Sequence, residues 1–201
     1  MKKRDESNDI NYFYIKNRFF NLFFNTRKYK DLIWSKEAFV SLVLSLLMTY
    51  LLFYIAETNK STDGTMSIIA VIQLIIPVII GGMFTQLGLT IGGLALLTGT
   101  IGENVITKIN KENKIQDLMS IIFNFYFSGA ITGVALISSI FVYFLTFIER
   151  PFEWFWFVLI TFLLSYITIF SIIYSIMLLG TCIRILLLKY FYLTKEDNTT
   201  N

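Results

Sequence analysis

Few residues in this 201-residue chain have side chains suited to acid–base, redox or metal chemistry. The chain has no His, and Cys182 is its single Cys. One chain can therefore form neither an imidazole-based catalytic site nor an internal disulfide or structural zinc site. The glycine-rich loops that bind phosphates or dinucleotides are missing, and the acidic residues form no recognisable catalytic or metal-binding pair. We therefore expect no enzymatic activity, no cofactor and no metal site.

Hydroxyl and amide side chains are the polar groups inside the apolar stretches. On the last stretch, hydroxyls recur at steps of four, three, three and four residues, which places them on one side of a helix. Unpaired polar groups are costly in lipid, so these side chains should face protein or water. They would either form hydrogen bonds between helices or line a wetted cavity or pore. The candidate polar residues are Gln73, Gln86, Asn124, Thr161, Ser165, Thr168, Ser171 and Ser175.

Charged side chains are confined to the ends of the apolar stretches and the segments between them. Proton-coupled transporters, proton relays and voltage sensors need charged groups within the membrane. The sequence therefore argues against these three classes. A pore lined by hydroxyls, amides or apolar gates is still compatible with the sequence.

Small residues are concentrated in the second apolar stretch, which holds eight of the eleven glycines. Its proline removes a backbone hydrogen bond and favours a kink. Small residues four positions apart form flat strips on which another backbone can pack closely. Packing within one subunit, a seam between subunits, a pore-facing hinge and a re-entrant loop are all compatible with this pattern. The candidate packing, oligomer or hinge positions are Pro77, Gly81, Gly82, Gly88, Gly92, Gly99, Gly129 and Gly133.

Four charge-free runs supply the elements that must position these residues. They contain 19, 39, 31 and 30 residues, and a helix needs about 20 to cross the hydrocarbon core. The chain is 55% hydrophobic and 15% charged, compared with about 25% charged in an average soluble domain. We therefore predict an all-α polytopic membrane protein with four transmembrane helices. The predicted spans are 38–56, 66–86 with a kinked continuation to 102, 119–148 and 154–183, followed by a polar tail at 193–201.

The distribution of Lys and Arg predicts the orientation of these spans. With four crossings, 15 basic residues lie on one side of the membrane and two on the other; with five, the split is ten against seven. Cytoplasmic segments carry the excess of basic residues. The sequence therefore favours four spans in the cell inner membrane, with both termini in the cytoplasm.

The segment 1–37 interleaves aromatic and basic residues at helical spacing. This pattern is typical of an amphipathic helix lying in the headgroup region of the cytoplasmic leaflet. Docking of a protein partner is the alternative, whereas direct nucleic-acid binding is disfavoured because a membrane span follows at once. The residues expected to meet lipid headgroups are Lys16, Arg18, Arg27, Lys28 and Lys30.

Four spans, cytoplasmic termini, about 200 residues and no soluble domain give a topology that resembles small membrane subunits of bacterial anti-phage defence systems, of the Kiwa membrane-subunit type. The resemblance covers the whole chain in topology but rests on no diagnostic motif, so no functional residue is carried over. It implies a homo-oligomer that works with a cytosolic partner. The hypothesis is therefore a non-enzymatic subunit that self-assembles in the lipid bilayer and gates or signals. An ion-conducting pore in its own right and an immunity or accessory protein of a transporter are the alternatives.

Overall fold

The computed structural model describes residues 31–59, 68–100, 115–148 and 154–197, and these residues are helical apart from short turns. A one-turn helix precedes four long helices, all four of which are long and apolar enough to cross a membrane. The one-turn helix is Asp31–Trp34, and the long helices are α1 (Lys36–Asn59), α2 (Ile68–Thr100), α3 (Ile115–Leu145) and α4 (Trp154–Asp197).

The four long helices match the predicted spans closely. α2 runs as one helix through Pro77, so the described residues 68–100 contain no re-entrant break. α4 continues past the predicted span and into the segment expected to be a polar tail, ending at Asp197. Residues 1–30 of the predicted interfacial segment lie outside the described part of the chain. They include all the Lys and Arg residues that are expected to meet lipid headgroups.

The long helices pack as two pairs. α2 packs mainly against α3, and α1 mainly against α4, while contacts between α3 and α4 join the pairs. α1 and α2 touch each other little. We call the end of the bundle where α1 and α3 finish the distal end, and the end where α2 and α4 finish the proximal end. Many large apolar side chains face outward on all four helices, as expected where lipid takes the place of water.

α1 lies beside only the distal part of α4. Near its start, Ala38 belongs to a buried cluster with Phe127 and Phe170. Near its end, the Phe53 ring meets the Trp154 ring edge-on with centroids 5.0 Å apart. Beyond Phe170, α4 extends about 40 Å further at 1.5 Å per residue. The proximal section of the bundle is therefore built from α2, α3 and α4, without α1.

Local hydrogen bonds fix the start of α1. The Ser35 hydroxyl accepts a hydrogen bond from the Ala38 amide at 3.0 Å, which caps the helix where its first amides have no carbonyl partner. The preceding turn is held against α4, because the Tyr166 hydroxyl donates a hydrogen bond to the Leu32 carbonyl. The chain that enters α1 is thereby fixed to the side of α4.

Candidate functional site

A cluster of hydroxyls around one amide joins α2, α3 and α4. The Gln86 side-chain nitrogen lies 2.6 Å from the Ser175 hydroxyl, 2.8 Å from the Ser171 hydroxyl and 3.2 Å from the Thr132 hydroxyl. It also lies 2.7 Å from the Ser171 carbonyl. The hydroxyls of Thr132 and Ser171 are 2.7 Å apart, and those of Ser128 and Ser175 are 3.1 Å apart. We call these five residues the polar cluster.

The polar cluster is largely buried and electrically neutral. Gln86 is 8% exposed, and Thr132, Ser128 and Ser171 are buried completely or nearly so. An amide nitrogen has two protons for the four acceptors within its reach, so the hydroxyls must also satisfy one another. Such a network fixes the register of three helices, because its members lie on α2, α3 and α4. It contains no acid or base that could move a proton.

The two other candidate amides also bond between helices. Gln73 on α2 lies 3.3 Å from the hydroxyl and 3.4 Å from the carbonyl of Thr146, just after the end of α3. Asn124 on α3 accepts a hydrogen bond of 3.3 Å from the Tyr174 hydroxyl on α4. Gln73, Gln86, Asn124 and Ser175 are thus brought into interhelical contacts, although at three separate places.

The remaining candidate hydroxyls line an apolar cavity in the distal half of the bundle. The cavity has a volume of about 850 Å³, and all four long helices contribute to its wall. Its lining is dominated by isoleucines from α2 and α4. Thr161, Ser165 and Thr168 form one strip of the α4 wall, and we call these three residues the hydroxyl wall. The Thr168 hydroxyl is buried and has no hydrogen-bond partner.

The candidate glycines of α2 do not pack against another helix of the described chain. A Cβ atom added at any of them would meet nothing within 4 Å. All of them are exposed. On α3, a Cβ at Gly129 would lie 3.8 Å from the Thr90 methyl group, and one at Gly133 would meet nothing within 4 Å. The exposed α2 positions are Gly81, Gly82, Gly88, Gly92 and Gly99.

Close packing between α2 and α3 occurs instead at a glycine that the sequence analysis did not single out. A Cβ at Gly93 would lie 2.8 Å from the Phe125 ring. Gly93 follows Gln86 and Thr90 at helical spacing and therefore shares their buried side of α2. Thr132 and Ser128 were also missed as site residues, although they follow Asn124 on α3 at steps of four. Spacing from the amides was the signal that could have found all three.

The described residues offer neutral hydrogen-bonding groups for function. Within the described ranges, no group of three or more His, Cys, Asp or Glu residues is placed to hold a metal ion. No protein-family model, curated protein or solved structure matches the chain. Three features of the geometry bear on function, namely the polar cluster, the apolar cavity and the exposed side of α2.

Proposed function

We propose that this protein is a non-enzymatic membrane subunit that self-assembles through the exposed side of α2. The observation that carries this proposal is a row of small residues that recur at steps of four and three along α2 and are all exposed. We call it the α2 stripe. Its members are Gly81, Thr85, Gly88, Gly92, Ala95 and Gly99.

The α2 stripe lies on the side of the helix opposite its packed side. The buried residues of α2 include Ile76, Met83, Gln86, Thr90 and Leu97, which face the rest of the bundle. At 3.6 residues per turn, the stripe positions fall about half a turn away from them. Small residues in such a row let two helix backbones approach closely, which favours association in a lipid bilayer.

Lipid alone does not account for a row of this kind. Elsewhere on α2, outward positions carry large apolar side chains such as Leu89, Ile91 and Leu96, each more than 60% exposed. Those side chains give lipid the contact area that the glycines lack. A second copy of α2 would fill the flat surface along the stripe and gain close van der Waals contact over several turns. A closed assembly about a symmetry axis would use the stripe of every subunit.

The orientation assigned from the basic residues places the distal end outside the cell and the proximal end in the cytoplasm. In that orientation, the three-helix section of α2, α3 and α4 extends toward the cytoplasm beyond the start of α1. This section and the basic N-terminal segment offer a surface for a cytosolic partner. Together with the topological resemblance to defence-system membrane subunits, they support a role in gating or signalling at the inner membrane.

The assembly is tested with one bulky substitution on the α2 stripe and the same change elsewhere. Gly92→Leu places a large side chain within the stripe. Gly180→Leu makes the same change at another exposed glycine, on α4, where an added Cβ also meets nothing within 4 Å. The mass of the full-length protein is measured by light scattering in detergent and in lipid nanodiscs.

The native protein and Gly180→Leu should have the mass of an oligomer, and Gly92→Leu should shift toward the monomer. The expected weakening is at least about tenfold in the association constant, because a leucine at the seam holds the backbones apart. A native protein that is monomeric in both media would contradict the proposal. Equal masses for the two leucine variants would contradict it too.

A further inference from the structure

The apolar cavity has the size and shape of a ligand site. Its volume of about 850 Å³ falls within the range of about 300–1,000 Å³ that is usual for small-molecule pockets. Its α4 wall runs from Trp156 to Ile172, a rise of about 24 Å. Apolar side chains form most of this wall, and no charged residue lines it. The dimensions suit an extended aliphatic chain, and the apolar lining without charged residues makes binding of a charged group costly.

The hydroxyl wall is what distinguishes this cavity from a simple gap between helices. The side-chain hydroxyls of Thr161, Ser165 and Thr168 make no hydrogen bond within the described part of the chain. Several hydroxyls elsewhere on the helices donate to the carbonyl four residues earlier. Examples of this behaviour are Ser41, Thr49, Thr90, Thr132, Ser139 and Thr181. The hydroxyl wall therefore keeps three donors spare over about 10 Å of α4.

Thr168 marks the deep end of the hydroxyl wall. It is 8% exposed, its hydroxyl oxygen is shielded, and it has no partner, an arrangement that costs free energy. Thr168 also lines the cavity, where an acceptor on a ligand would satisfy this hydroxyl. Ser165, one turn away, is only partly buried.

We propose that the cavity binds a neutral aliphatic chain that carries a carbonyl group, with the hydroxyl wall donating a hydrogen bond to that carbonyl. A carbonyl accepts a proton from a hydroxyl without bringing a charge into an apolar cavity. The ester of a phospholipid acyl chain and a free apolar ketone present the same chemistry. This binding goes beyond self-assembly and does not depend on it.

Photolabelling of the full-length protein in lipid nanodiscs tests the proposal. Three probes carry the same photoactivatable diazirine: a long-chain ketone, a phosphatidylglycerol with the diazirine beside its acyl ester, and an alkane matched to the ketone in length. Mass spectrometry of the labelled peptides then locates each probe. The positions compared are Ile76 and Ile169 in the cavity, and Ile137 and Leu179 on outward faces.

At least one carbonyl probe should label the cavity residues about threefold to tenfold more than the alkane does, as expected for one hydrogen bond in an apolar site. Unlabelled ketone should compete with that labelling. Labelling by the phospholipid probe, with competition by ketone, assigns the ester as the natural source. Labelling by the ketone alone assigns a free carbonyl compound. Either result supports the proposal.

Two variants separate hydrogen bonding from mere filling of space. The triple change Thr161→Val, Ser165→Ala and Thr168→Val removes the hydroxyls at nearly constant volume and should reduce carbonyl-probe labelling to the alkane level. Ser165→Ala alone is the milder variant, with an expected loss of about threefold. The control is Thr98→Val, at an exposed position of α2 outside the cavity, which should have no effect.

The proposal would be overturned by equal cavity labelling by all three probes. It would also be overturned if Ser165→Ala and the triple variant labelled like the native protein. Labelling spread evenly over Ile137, Leu179 and the cavity residues would mean that the probes only sample lipid around the protein. Each variant is first checked for native helix content and native mass, so that a loss of labelling reports on the cavity.

Discussion

Gln86 is the residue whose single side chain connects the most helices in the described chain. Its amide reaches hydroxyls on α3 and α4, and it is buried. Hydrogen bonds between membrane helices contribute about 0.6 kcal/mol on average and up to about 1.7 kcal/mol. Gln86→Leu should therefore lower the free energy of unfolding by about 1–2 kcal/mol, measured by unfolding in mixed detergent micelles.

Gln73→Leu is the matched control for that change. Gln73 meets Thr146 at 3.3 and 3.4 Å, near the limit of a hydrogen bond, and only where α3 has ended. Its replacement should cost less than about 0.6 kcal/mol. If both leucine variants unfolded alike, the polar cluster would have no special part in holding the three helices together.

Gly93 and Gly180 offer a second comparison between identical changes. A Cβ at Gly93 would lie 2.8 Å from the buried Phe125 ring, whereas one at Gly180 would meet nothing within 4 Å. Alanine is a better helix former than glycine by about 1 kcal/mol, but overpacking a core costs about 1–3 kcal/mol. Gly180→Ala should leave the thermal midpoint unchanged or raise it, and Gly93→Ala should lower it. The reverse order would mean that Phe125 moves aside freely.

The types of the site residues could be predicted from sequence, but their partners could not. The spacing of hydroxyls on α4 correctly places them on one side of a helix. The structure then divides that side, since Ser171 and Ser175 meet Gln86 while the hydroxyl wall faces the cavity. Which hydroxyl meets Gln86 depends on how far α2 is shifted along α4. Local spacing carries no information about that shift.

The four long helices were the most predictable elements, because each charge-free run must form its backbone hydrogen bonds internally. Their bounds agree with the predicted spans to within a few residues, except that α4 continues to Asp197. The level at which α1 packs was not predictable. Its length follows from the apolar run between Glu37 and Glu57, whereas its position beside Phe170 follows from packing in the assembled bundle.

The one-turn helix Asp31–Trp34 is attached to α4 by a contact that a single substitution can test. Tyr166→Phe removes the hydroxyl that binds the Leu32 carbonyl. Loss of one hydrogen bond worth about 1 kcal/mol should raise local opening about fivefold. Limited trypsin digestion after Arg27, Lys28 and Lys30 should then become faster by about that factor.

Tyr50→Phe provides the control for this experiment, because Tyr50 is 66% exposed on α1 and its hydroxyl makes no hydrogen bond to the described part of the chain. Its digestion rate should equal that of the native protein. An unchanged rate for Tyr166→Phe would mean that the contact with Leu32 does not hold the chain that enters α1.

At the scale of the whole molecule, the bundle is held by few buried contacts and leaves most of its apolar surface outward. In each of the four long helices, at most 28% of the most apolar 18-residue stretch is buried inside the described chain. Lipid and further protein surfaces must cover the rest. Large aliphatic side chains cover most of this outward surface, but two places differ. The α2 stripe consists of small residues, and the cavity wall carries three hydroxyls. We propose that a second copy of the protein covers the α2 stripe and that an aliphatic ligand occupies the cavity.

The proposed role with a cytosolic partner depends on the orientation of the bundle in the membrane. Labelling of intact cells tests this orientation. On a Cys182→Ala background, single cysteines are introduced as Ser61→Cys, between α1 and α2, and as Lys111→Cys, between α2 and α3. Four crossings with cytoplasmic termini leave Ser61 outside and Lys111 inside. An impermeant maleimide should then label the first variant and spare the second until the membrane is opened.

A fifth crossing within 64–102 would expose both sites to the reagent, because Lys111 would move outside while Ser61 stayed there. Labelling of Lys111→Cys in intact cells would therefore rule out a cytoplasmic location for the three-helix section. It would also rule out the surface proposed for a cytosolic partner.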